Sequence, residues 1–283
     1  MRRILIVALC LTSLVLVTLV TVAGTPGPTA AVGPQESPRM EQQPRPVTQP
    51  PDPDRPPPAA GPVAAPPELP GCEVADEPTM AAGYDDWRHT LLDTRFALPE
   101  TYQPPDLVPL AAAFPSDSAA QAGGRLRAFV IDDLRALVAD AAAAGHRLAV
   151  QSAYRDFRYQ ADTFQYWVDE QGYAGAIATS ARAGHSEHQL GTALDFRSLD
   201  GVAAWDLEDW AITPEGAWVK DNAWRYGFVM SYPAGKQHLT CYAYEPWHYR
   251  YFGRELAAQI SAGEVTAREM LWRLAHAHAR SEP

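Results

Sequence analysis

From residue 127 onward, apolar side chains recur at helical and strand spacings in mixed order. In "RAFVIDDLRALVADAAAAG", Arg127 to Gly145, the residues Phe129, Val130, Leu134, Leu137 and Val138 share one helical face, and Gly145 can end the helix. "RLAVQSAYR" then alternates as a short strand that runs into Tyr154 and Arg155. Asp156 to Gln171 predicts a second helix, rich in aromatic residues and stopping before Gly172. Gly191 to Phe196 reads as a strand, Trp218 to Tyr226 as a helix, and "YGFVMSYP" as a strand ended by Pro233. "CYAYEPWHYRYFG" alternates like a strand, and Thr266-x-x-Glu269 has capping-box spacing ahead of a terminal helix, "MLWRLAHAH". Helices and short strands mix without regular strand–helix alternation or internal repeats, which predicts an α+β fold.

The pattern fails upstream, and composition says why. Residues 24–70 hold 16 of the 26 prolines and almost no large apolar side chains. Such a segment cannot bury enough surface to offset its ordering entropy, so residues 24–71 read as a disordered, partly polyproline-like linker. Before it, Arg2 and Arg3 precede an apolar run from Ile4 to about Val22. Residues 1–23 therefore read as a signal peptide or a membrane anchor, with either outcome open, and the protein as exported. All eight tryptophans and all twelve tyrosines fall in 72–283, enough for one domain with a real core.

The net charge of −11, with no basic run after the N-terminus, disfavours nucleic acid as a partner. Cys10 lies in the apolar run, which leaves Cys72 and Cys241 as an even pair in an exported domain. In an oxidising compartment such a pair is the expected disulfide.

Among eight histidines, His188 and His248 stand near useful partners. A hydrolytic zinc site needs three nitrogen or carboxylate ligands, one open position, and a base beside it. His188 and Asp195 in "SEHQLGTALDF" and His248 in "EPWH" could be the ligands, with Glu245 as the base. The same stretches could also be a polar turn and an aromatic anchor, and spacing alone leaves both readings open. Arg155, leaving a strand, could hold a carboxylate or stabilise an oxyanion; it could equally be a surface arginine.

Taken in order, these pieces resemble one family. Ser152-Ala153-Tyr154-Arg155 is similar to its "SxYR" motif. Ser186-x-His188-x-x-Gly191-x-Ala193-x-Asp195 matches "SxHxxGxAxD" at every specified position, and Glu245-Pro246-Trp247-His248 matches "ExxH". The chain resembles D-alanyl-D-alanine carboxypeptidases of the VanY type, in the superfamily of lysostaphin and hedgehog zinc domains, over roughly residues 86–260. The resemblance implies a small antiparallel sheet packed with helices, one Zn²⁺ held by His188, Asp195 and His248, and Glu245 as general base and then acid. It implies that Arg155 stabilises the oxyanion or grips the substrate carboxylate, and that Ser152, Tyr154, Gln160 and Ser186 line the substrate cleft. The implied substrate is the peptidoglycan stem peptide, whose terminal D-alanine is removed by a bacterial, monomeric, extracytoplasmic enzyme. L,D-carboxypeptidase, D-Ala-D-Ala dipeptidase and a non-catalytic zinc-stabilised wall-binding module are the alternatives.

Three positions depart from the family pattern, the first being Ala183, where relatives often carry proline. Relatives often carry serine at Asp156, which here could pair with Arg155. They commonly carry glycine at Cys241, which suggests a structural task for that cysteine.

Overall fold

The computed structural model describes residues 68–114 and 124–278. The apolar run at 1–23 and the proline-rich stretch up to residue 67 lie outside the described residues. Among the described residues there are eight strands: β1 (Glu77–Pro78), β2 (Phe96–Ala97), β3 (Leu107–Pro109), β4 (Arg125–Arg127), β5 (Leu148–Ser152), β6 (Ala193–Ser198), β7 (Phe228–Met230) and β8 (His248–Tyr251). The α-helices are α1 (Ile131–Ala143), α2 (Phe157–Thr179), α3 (Pro214–Asn222), α4 (Gln237–Thr240), α5 (Arg254–Ala262) and α6 (Ala267–His278).

The central sheet has four strands in the order β5-β6-β8-β7, all antiparallel. Successive side chains of a strand point to opposite faces, so one face can serve the core while the other serves a site. Leu194, Phe196, Tyr249 and Tyr251 join Leu134, Leu137 and Val138 of α1 in the main core. Burying one such leucine contributes roughly 1.5–3 kcal/mol. Asp195 and His248, directly paired across β6 and β8, belong to the other face.

Helix α1 begins later than its periodicity predicts. Arg127 ends β4, opposite Leu107, and residues Ala128–Val130 form a single 3₁₀ turn. Phe129 therefore misses the helical stripe; it is 37% exposed and stacks on Trp87 at 4.5 Å. The first helical segment of α2 stops before Gly172 as expected, and a second segment then runs on to Thr179. Gly172 takes φ 75° and ψ 163°, a kink that a glycine accepts without a Cβ clash. Of the stretch "CYAYEPWHYRYFG", only His248–Tyr251 is strand, because Cys241 turns the chain at φ 72° and Pro246 has no N–H to give a ladder. At α6 the Thr266 and Glu269 side chains cap reciprocally: Thr266 N–H donates to Glu269 Oε2 at 2.8 Å, and Glu269 N–H donates to Thr266 Oγ1 at 3.2 Å.

Cys72 and Cys241 form a disulfide across 169 positions, tying the start of the domain to the end of α4. Cys241 is in the left-handed region where glycine is the default residue, so the cysteine bears backbone strain of about 1–2 kcal/mol in order to reach its partner. Arg268 of α6 fastens the same region by an ion pair with Asp93 at 2.7 Å and a bond to the Pro70 carbonyl.

Candidate metal centre and cleft

Three strands bring the chemistry together. Ser152 of β5 and His248 of β8 both pair with Asp195 of β6. His188 arrives from the 3₁₀ turn Glu187–Leu190, and its own N–H donates to the capping Ser186 Oγ at 3.3 Å. Gly191 ends that turn at φ 69°, and a Cβ there would lie 2.8 Å from Leu107 Cδ2, so both conformation and space require glycine. On the other side, His248 N–H donates to the Glu245 carbonyl at 3.1 Å, closing the turn that brings Glu245 alongside His248.

One donor atom from each of His188, Asp195 and His248 lies within 4.8 Å of the others, and all three side chains are buried. The hydrogen bonds around them suit a cation. His188 Nδ1 faces the Ala153 carbonyl at 2.6 Å and so carries the proton, which leaves Nε2 a lone pair directed at Asp195, 3.3 Å away. His248 turns Nε2 to Glu187 Oε2 at 2.9 Å and Nδ1 to Asp195 Oδ1 at 3.0 Å. Two imidazole nitrogens and a carboxylate oxygen, each oriented from behind, are the donor set of a hydrolytic zinc centre.

Glu187 is the residue that sequence reasoning passed over. Its carboxylate accepts from Ser231 Oγ at 2.6 Å, from His248, and from Arg250 Nη1 at 2.9 Å. Arg250 is wholly buried and also donates to the Trp87 and Thr90 carbonyls. Its place between Ser186 and His188 was the available signal, but an acid in a turn ordinarily faces water.

The electrostatics follow from burial and these partners. Burial alone would raise Glu187, yet Arg250, His248 and Ser231 outweigh it and hold the carboxyl at about 2. Burial and the neighbouring Arg155 lower His188 to about 4. For His248 burial pulls downward, but the bonds with Asp195 and Glu187 prevail and raise it to about 10. Glu245, with Oε2 3.8 Å from His248 Nδ1, is pushed up to about 7, chiefly by burial.

Arg155 Nη1 lies 3.7 Å from Asp195 Oδ2 and also donates to Ser152 Oγ, while Nε donates to Gln160 Oε1 at 2.8 Å. Asp156 does not pair with it. Its side chain caps α2 by accepting from Tyr159 N–H, a task serine performs equally well. Gln160 is fully buried and bonds Arg155 and the Ala181 carbonyl, so it positions the arginine and does not line the cleft. Ser152, Tyr154, Arg155 and Ser186 do line it, together with the triad and Glu245, in a cavity of about 770 Å³. The Tyr154 and Tyr242 hydroxyls, both from cleft-lining residues, are buried without a protein partner. His185 is turned away, held by the Asp93 carbonyl and Asp76.

Comparison with known proteins agrees with this arrangement. The sequence profile of the family "VanY: D-alanyl-D-alanine carboxypeptidase" matches residues 123–254. The Bacillus subtilis protein YodJ is 36% identical over 180 residues, 63% of this chain; the chain spans 65% of YodJ, just under two thirds of its length. The solved structure of the LdcB LD-carboxypeptidase superposes with a TM-score of 0.56 at 34% identity, covering 65% of this chain and 85% of LdcB. The vancomycin-resistance D,D-pentapeptidase VanY of the VanB-type cassette, solved with Zn(II), superposes with a TM-score of 0.55 at 29% identity, covering 65% and 99%. Another structure of that protein, VanYB, holds D-alanyl-D-alanine. With its three motifs gathered around one site, its profile match and its likeness to most of LdcB, the chain belongs to the VanY family of D-alanyl-D-alanine carboxypeptidases.

Proposed function

We propose that the protein is a zinc-dependent D,D-carboxypeptidase that removes the terminal D-alanine from peptidoglycan stem peptides. The observation that carries the reading is Glu245, a half-buried carboxyl with Oε2 3.8 Å from His248 Nδ1, beside a complete cation donor set. A purely structural metal site has no use for such a group. His188 Nε2, Asp195 and His248 Nδ1 would hold the zinc, which when bound supplies Lewis-acid polarisation of the scissile carbonyl and acidifies a water. Glu245 accepts the proton of the attacking water and returns it to the leaving amine, a task that suits a group titrating near neutrality. Arg155, fixed by Gln160 and Ser152 on the Asp195 side of the centre, donates hydrogen bonds to the negative charge that develops on the carbonyl oxygen. Ser152, Tyr154 and Ser186 contact the peptide, and the unpaired Tyr154 hydroxyl gives it a hydrogen-bonding group.

Zinc in one VanYB structure and D-alanyl-D-alanine in another support the reading. Likeness to LdcB favours a second one, L,D-carboxypeptidase action, on the same residues. The disulfide and the apolar N-terminal run support an exported protein acting at the wall, joined to its signal or anchor by the proline-rich linker. Incubating the purified protein with tetrapeptide and pentapeptide stems, with and without chelator, tests this. Chelator-sensitive D-alanine release from the pentapeptide is expected. Release from the tetrapeptide alone replaces the D,D reading by the L,D one, and release from neither overturns both.

A further inference from the structure

The cleft is larger than a terminal dipeptide needs, and its character changes along its length. Its charged groups, Arg155, Asp195 and Glu245, gather at the metal end. From beside Arg155 outward along α2, Tyr159, Thr163, Tyr166 and Trp167 line the wall at positions i, i+4, i+7 and i+8, which is one stripe of a helix. This stripe of α2 faces the cleft rather than the core. Only Gln160 and Ala176 of the helix are buried, whereas Tyr159 is 57% exposed and Tyr166 55%. Trp205, 44% exposed, lines the same cavity. A run of exposed aromatic faces without a folding task marks a surface kept for a ligand.

Beneath Trp205's turn lies Gln151, at the irregularity in β5–β6 pairing between Val150 and Ser152. Bulges of this kind re-aim side chains beside active sites. Ala204 N–H donates to Gln151 Oε1 at 2.9 Å, which fixes the amide and leaves Nε2 a buried donor with no protein partner. Leaving such a donor unpaired is unfavourable, and an acceptor on a ligand, reached directly or through one water, would relieve it.

We propose that this limb of the cleft binds an uncharged N-acetylated hexopyranose, the sugar from which the stem peptide hangs; the inference rests on the function proposed above. Pyranose rings present C–H faces that stack on aromatic side chains, and an acetamido carbonyl is an acceptor for a donor such as Gln151 Nε2. The limb holds no lysine or arginine, which disfavours a phosphate-bearing polymer. Length fits as well. From Phe157, two residues past Arg155, to Trp167 the helix advances about 15 Å at about 1.5 Å per residue. Four extended residues between sugar and scissile bond span about 13 Å.

The test compares kcat/KM for a pentapeptide stem with kcat/KM for the same peptide carrying its disaccharide, in the wild type, Trp167→Ala and Tyr159→Ala. A second measurement follows binding of the N-acetylated disaccharide alone by tryptophan fluorescence. The wild type is expected to prefer the glycopeptide by about tenfold, mainly through KM, with the ratio falling toward one in both variants. Equal use of the two substrates by the wild type, or equal proportional losses on both in the variants, overturns the sugar site while leaving the carboxypeptidase reading intact. Disaccharide binding that Trp167→Ala abolishes, in a protein that hydrolyses neither substrate, supports the sugar site and overturns the peptidase reading instead.

Discussion

Replacing Glu187 by glutamine removes one oxygen's charge and little volume, yet the structure predicts a double failure. The carboxylate offers Oε1 to Arg250 and Oε2 to both Ser231 and His248. An amide has one oxygen, so its NH₂ must face either a guanidinium or the His248 N–H and the Ser231 hydroxyl. Whichever way it turns, a buried donor meets a donor. Arg250, wholly buried, loses its only carboxylate partner among the described residues, and breaking a buried pair from one side costs about 3–5 kcal/mol. His248 loses the acceptor that fixes its Nε2–H tautomer, and loss of such a partner weakens metal binding by roughly 10–100-fold, or about 1.4–2.7 kcal/mol. Urea unfolding of chelated protein reads the first quantity, and zinc competition against a chromophoric chelator reads the second. A Glu187→Gln protein with wild-type stability and wild-type zinc affinity would refute the reasoning that this carboxylate is the support of His248.

Four further outcomes follow from the disulfide, His248 and Arg155. Removing the 169-residue cross-link is expected to cost about 5 kcal/mol in the chain-entropy picture. Because Cys241 is at φ 72°, the Cys72→Ser/Cys241→Gly protein should exceed Cys72→Ser/Cys241→Ser by about 1 kcal/mol, some 2–4 °C in Tm; equal melting temperatures contradict the strain. His248 is raised from 6.5 to about 10, so chelated protein gains stability from it that is full below pH 6.5 and lost as pH rises through 10. The same proton must leave when a cation takes its place, so zinc uptake at pH 7.5 should release about one proton, seen as a buffer-dependent calorimetric heat; a heat independent of buffer contradicts it. Arg155→Lys loses the planar fork that Ser152 and Gln160 hold, and kcat should fall about 100-fold with KM little changed; a loss confined to KM would assign Arg155 to the substrate carboxylate instead.

Much of the site was legible because each motif encodes one local necessity. Gly191 ends a 3₁₀ turn in the left-handed conformation, Asp156 caps a helix, and the residues before and after Pro246 form a turn. Resemblance then supplied what spacing could not, that these pieces belong to one centre. What the sequence concealed was set by long-range pairing. The Glu187–Arg250 contact joins residues 63 positions apart, and no local pattern distinguishes it from two solvated charges. Gln160 looked like a cleft residue, but the turn of α2 drives it inward onto Arg155. The helix around Phe129 started late because β4 captured Arg127 for pairing with Leu107, an effect of tertiary structure on periodicity. Gly172 was legible by contrast: it breaks the helix where the sequence places the stop, and a second helical segment resumes beyond it.

The central claim is that Glu245 moves the proton for a zinc-assisted cut at a D-alanine end. It is tested most directly by loading wild-type and Glu245→Gln proteins with zinc, confirming equal metal content, and counting D-alanine released from a pentapeptide ending in D-Ala-D-Ala. The wild type should release one D-alanine per peptide, and the variant should be slower by about 10²–10⁴-fold. Hydrolysis by Glu245→Gln at the wild-type rate, or no release by the zinc-loaded wild type, would contradict the account.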